Sequence, residues 1–108
     1  MNVELARHIV TTYEKHGWEL RRILTTSVDQ NERQEIADAF AAQPISTAEI
    51  DALWFARPSH AGREAWELRL AAERPYALFE AFEADESEED REDARKEMEN
   101  KLREYAGG

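Results

Sequence analysis

The chain has 108 residues, 42% hydrophobic and 35% charged, with 24 acidic against 14 basic residues and a net charge of −10. That length suits one domain (residues 1–108) with one sizeable core, and the hydrophobic and aromatic content excludes general disorder. The lack of cysteine excludes disulfides, thiol nucleophiles and thiolate metal sites, while the negative charge repels phosphate backbones and disfavours nucleic-acid binding. The first residues carry no apolar run behind a basic start, so no secretory leader is expected. Apolar runs such as Leu53–Ala56 are too short to span a bilayer. A cytoplasmic location without membrane contact is the expectation.

The predicted elements follow in chain order. Asn2 to His16 has the spacing of a helix, with Leu5, Ala6, Ile9, Val10 and Tyr13 on one stripe. Asn2 suits its cap, and Gly17 its left-handed end. Trp18 to Thr25 reads as a strand with Trp18, Leu20 and Leu24 on one side and Arg22 among them. A continuing helix competes, but an interior Gly17 would cost it about 1 kcal/mol. Asp29 to Ala42 reads as a second helix, started by Ser27 with Gln30 or by Asp29 with Glu32, with Ile36, Ala37, Phe40 and Ala41 facing inward. Ser46 and Glu49 then have capping-box spacing, with Ile45 and Ile50 at the staple positions, which predicts a short helix from Thr47.

Ala52 to Ala84 holds Trp54, Phe55, Trp66, Tyr76, Phe79 and Phe82, so buried aromatic area concentrates here. Three strands are expected: Leu53 to Arg57, Glu64 to Leu70 with clean alternation, and Tyr76 to Glu83. Their short connections require antiparallel pairing. Ser87 to Tyr105 closes the chain as a long charged helix, acidic at its start and basic near its end, in accord with the helix dipole. Its apolar seam (Ala94, Met98, Leu102, Tyr105) is narrow, which suits a helix lying on the surface or pairing with a second copy. The tetrapeptide Trp18-Glu19-Leu20-Arg21 recurs as Trp66-Glu67-Leu68-Arg69. Its flanks do not align, and chance repetition accounts for it.

The expected fold is therefore α+β, a three- or four-stranded antiparallel sheet packed against helices in the order α-β-α-(short α)-β-β-β-α. No motif carries an activity. There is no G-x-S-x-G, no phosphate-binding glycine pattern and no H-E-x-x-H. His8 and His16 are about 80° apart around a helix, poorly placed to share a metal. The run Asp85 to Asp90 fails as a calcium loop, because Asp90 stands where glycine is needed and Lys96 where glutamate is needed. No metal or cofactor is expected.

The first functional reading is a small acidic protein-interaction module, self-association included. Trp54, with Met98 and Leu102, would be its partner-binding residues, and an acidic rim would attract a basic protein. The second is a binding or enzymatic site for a small anionic metabolite in the Arg57–Arg63 loop. There Arg57 and Arg63 would hold the anion, His60 would titrate or donate, and Ser59 would add a donor. The third is a structural subunit of a larger assembly.

Overall fold

The computed structural model describes residues 1–41 and 43–107. Ala42, the expected last residue of the second helix, and Gly108 lie outside the described residues.

The Asn2 side chain accepts the Leu5 amide at 3.1 Å and opens α1 (Val3–Lys15), whose Ala6, Ile9 and Val10 are buried. The helix stops where the sequence places its end. His16 Nδ1 lies 2.9 Å from the Thr12 carbonyl oxygen, and Gly17 takes φ +84°, a conformation that glycine adopts at little cost. The chain then enters β1 (Glu19–Thr25), as expected. Asp29 caps α2 (Gln30–Ala39) by accepting the Glu32 amide at 3.0 Å.

The next segment differs from its prediction. Ile45–Thr47 forms a strand, β2, parallel to β1 in the register Ile23↔Ile45 to Thr25↔Thr47. The short helix is absent and its staple is not made. Ile45 packs among the α1 and α2 side chains, whereas Ile50 belongs to the core on the other side of the sheet. Main-chain pairing with an open β1 edge outweighs a local capping signal, and α2 supplies the long crossover that a parallel pair requires.

β3 (Ala52–Pro58), β4 (Glu64–Leu70) and β5 (Ala77–Phe82) complete a five-stranded sheet in the order β2-β1-β3-β4-β5. Every pairing but β1–β2 is antiparallel. The fold is an α+β single domain, and its sheet is mixed and larger than the antiparallel one expected. Between β3 and β4, His60–Gly62 makes a 3-10 turn. Ser87 Oγ accepts the Asp90 amide at 3.1 Å at the head of α3 (Glu88–Gly107).

Two cores result, one on each face of the sheet. On the first, α1 and α2 bury Leu20, Ile23, Leu53 and Phe55. On the second, α3 covers Trp54, Trp66, Leu68 and Phe82 with Met98 and Leu102. Tyr105, at the end of its seam, stacks on Tyr76 at 3.6 Å.

β1 carries a bulge. Its pairing with β3 steps from Leu20↔Phe55 to Arg22↔Trp54, leaving Arg21 as the extra residue. The strand changes phase there, which corrects the expected side of Trp18, Leu20 and Leu24. Leu20 stays on the first face with Trp18, while Leu24 moves to the second. No helix among the described residues is long and apolar enough to cross a membrane.

Candidate functional site

The two edges of the sheet differ. β2 is three residues long, and Arg33 braces it through Thr47 Oγ1 at 2.8 Å and the Ile45 carbonyl at 3.4 Å. β5 is six residues long and, among the described residues, pairs only with β4. It contains no proline, lysine or arginine, the residues that commonly blunt an open edge. Phe79 on β5 is 56% exposed, on the first face beyond the reach of α1. An aromatic series leads to it from the core. Tyr13 stacks on buried Phe55 at 4.0 Å, Trp18 meets Tyr13 edge-on at 6.1 Å, and Phe79 meets Trp18 edge-on at 6.4 Å. Tyr13 donates its hydroxyl to Glu67. Burial first, and then that bond, raises the Tyr13 pKa well above the usual tyrosine range.

The Arg57–Arg63 loop borders the same area. Arg57, Ser59 and His60 line a hollow of about 560 Å³ together with His16, Pro58 and Phe79. Arg63 is not part of it. Each arginine already has a partner, and the partners lie on different elements. Arg57 donates to the His16 carbonyl at 2.9 Å, its guanidinium 4.5 Å from the Trp18 ring centre. Arg63 reaches Glu83 at 2.9 Å. The arginine pair expected to hold an anion is thus separated, because β3 ends toward α1 while β4 begins beside the β5–α3 connection.

The expected partner surface around Trp54 is not on the outside. Trp54 is fully buried and donates its indole N–H to Glu99 at 2.8 Å, and Met98 and Leu102 are the side chains that cover this face. β3 is the central strand, so both its faces are covered and Trp54 cannot reach a partner.

A third region was not anticipated. Because of the bulge, Arg21 and Arg22 both turn to the second face, with guanidinium carbons 5.1 and 5.5 Å from the Trp66 ring centre. Arg95 of α3 approaches the same ring at 4.0 Å and is only 2% exposed. Arg22 forks onto Glu92 at 3.0 and 2.9 Å, and Arg95 reaches Glu88 at 2.6 Å and Glu92 at 3.0 Å. Hydrogen bonds from Arg22, with those from Arg95, hold the Glu92 carboxyl below the usual glutamate range. The Arg95 bond does the same for Glu88, and the Glu92 bond raises the Arg22 pKa.

The sequence reading missed two residues. Arg22, a charge on what should be the apolar side of β1, signalled the change of phase. Phe79 gave no sign of exposure, since that depends on how far α1 extends over the sheet. Comparisons with family models, curated proteins and solved structures return no match. Among the described residues, no group of three or more His, Asp or Glu side chains is arranged to hold a metal.

Proposed function

We propose that this protein is an interaction module that binds an extended segment of a basic partner protein along the open edge of β5. The observation that carries this reading is Phe79, a large aromatic 56% exposed on an edge strand whose outer side is open. Strand addition draws affinity from main-chain hydrogen bonds and specificity from alternate side chains. Phe79 would receive an apolar partner side chain, with the flanking Ala77 and Ala81 leaving room on the same face. The net charge of −10 favours a basic segment and opposes a second copy of the same chain. This keeps the acidic interaction module anticipated from the sequence and moves its anchor from Trp54 to Phe79.

Selection from a displayed library of short random peptides tests the proposal, followed by amide hydrogen exchange on the complex. The expected peptides alternate apolar residues with Lys or Arg, slow exchange in β5, and bind the Phe79→Glu variant at least tenfold more weakly, about the loss of one anchor contact. Peptides that protect another surface, or that bind the variant equally well, would overturn the reading. So would a dimer of the chain itself protected along β5.

A further inference from the structure

The arginine cluster on the second face contains more than is needed to fasten α3. Arg22 and Glu92 join β1 to α3 by a two-pronged bond, beside the apolar anchors Met98 and Leu102. Arg21 takes no part in it and makes no ion pair among the described residues. Arg95 is almost wholly buried, yet its Nε–H has no hydrogen-bond partner among the described residues. A buried donor of this kind ordinarily has one, and leaving it unmet is costly.

These groups surround a cavity of about 530 Å³ lined by Arg21, Arg22 and Arg95, with Trp66, Glu64, Glu88, Gln43 and Pro44. Local sequence explains the space. The bulge sends two consecutive arginines to one face, and across from Trp66 the neighbouring β3 position is Ala56, too small to fill the gap. Trp66 is held in place by its indole N–H bond to Glu64 at 2.6 Å, presenting its ring to the guanidinium groups. Glu88 and Glu92 engage Arg22 and Arg95, and Glu64 engages Arg91 and the Trp66 indole, so Arg21 is the cation of this cavity with no ion pair among the described residues.

We infer that this cavity binds a small oxyanion, the phosphate or carboxylate group of a metabolite, held by Arg21 and Arg95 against Trp66. Guanidinium forks match both groups in shape and charge. The bound anion would pair Arg21 and approach the Arg95 guanidinium beside its unpartnered Nε–H, while Arg22 stays with Glu92. The inference is independent of Phe79 at the β5 edge, because the cavity lies on the second face of the sheet and Phe79 on the first.

Arginine Nε–H and tryptophan indole signals of the nitrogen-15-labelled protein provide the test. Inorganic phosphate and acetate are titrated separately against sodium chloride at matched ionic strength. The expected result is saturable movement of the Arg95 Nε–H and Trp66 indole signals with one of the two anions, which also identifies the group. Arg21→Ala should weaken that response roughly tenfold, about what losing one charge-assisted hydrogen bond removes. It should leave the fold intact, since Arg21 is exposed and outside the α3 fastening. A response that chloride matches would show screening alone and overturn the inference. An unaltered response in Arg21→Ala, or none with either anion, would also overturn it.

Discussion

On the first face of the sheet, α1 and α2 contribute Ala6, Ile9, Val10, Ile36 and Phe40, and the aliphatic layer closes over β1 and β3. On the second face a single helix does the covering, and only Met98 and Leu102 of α3 are buried apolar residues. Beside the partly buried Ala94 and Ala106, its inner surface is largely Arg91 and Arg95 laid on Phe82 and Trp66, with Glu92 and Glu99 bonded to Arg22 and Trp54. The comparison teaches that a helix too polar to make a broad apolar stripe can still cover a sheet. It does so by aligning cations with aromatic rings and carboxylates with fixed donors. The same choice brings polar groups and a cavity into the layer beneath α3.

If α3 depends on few apolar anchors, each must matter more than its counterpart on α1. Leu102→Ala should cost about 4 kcal/mol and Ile9→Ala about 2.5 kcal/mol, within the range for buried large-to-small changes. Ile9 has Ala6 and Val10 buried beside it to share the loss, whereas Met98 is the one other buried apolar residue on the helix of Leu102. Urea unfolding of both variants measures the difference, and an equal or reversed order would break the comparison.

The two faces should also fail at opposite ends of the pH scale. Glu92 has a lowered pKa in the folded state, so its contribution is complete above the ordinary glutamate value of 4.5 and is lost as pH falls below it. Tyr13 has a raised pKa, so its contribution is complete below 10.0 and is lost as pH rises beyond it. Acid should therefore release protection in α3 before α1, and alkali the reverse. Glu92→Gln should flatten the acid limb of stability against pH, and Tyr13→Phe the alkaline limb. Hydrogen exchange and denaturant midpoints across the pH range would show both effects. Simultaneous loss of both helices at each extreme would mean the faces do not open separately.

The legibility of the two faces in the sequence differed for physical reasons. Local signals were kept wherever they agreed with tertiary pairing: Asn2, Asp29 and Ser87 all cap helices, and Trp66, Leu68 and Leu70 alternate as a strand should. The signal at Ser46 and Glu49 was equally clear locally, but it lost to hydrogen bonds that β2 could make only with β1. The bulge at Arg21 left one local trace, the charge of Arg22 on the expected apolar side, because its place is set by how β1 meets β3. With it went the arginine cluster, in which the neighbours Arg21 and Arg22 meet the distant Arg95 only through that register. The repeated Trp-Glu-Leu-Arg tetrapeptide illustrates the point. Trp18 packs on the first face and Trp66 on the second, so the same four letters serve opposite layers.

The smallest expected differences lie at the junctions that lead into each layer. Gly17 joins α1 to β1 at φ +84° with nothing within 4 Å of where a Cβ would stand. The cost of Gly17→Ala is therefore conformational alone, about 1 kcal/mol, and Gly17→Asn should cost roughly half that because asparagine tolerates this region. α3 is entered without a glycine, through Ser87, and Ser87→Ala should lose about 1 kcal/mol of capping. Similar totals should be distributed differently. Gly17→Ala should speed amide exchange at the end of α1 and the start of β1, and Ser87→Ala in the first turns of α3. Because the Arg22–Glu92 and Arg95–Glu88 bonds lie within those turns, the Ser87 variant should also shift the acid limb toward higher pH. The Gly17 variant should leave it in place, and a shift in both would show that α3 is held by the whole domain rather than by its own charged bonds.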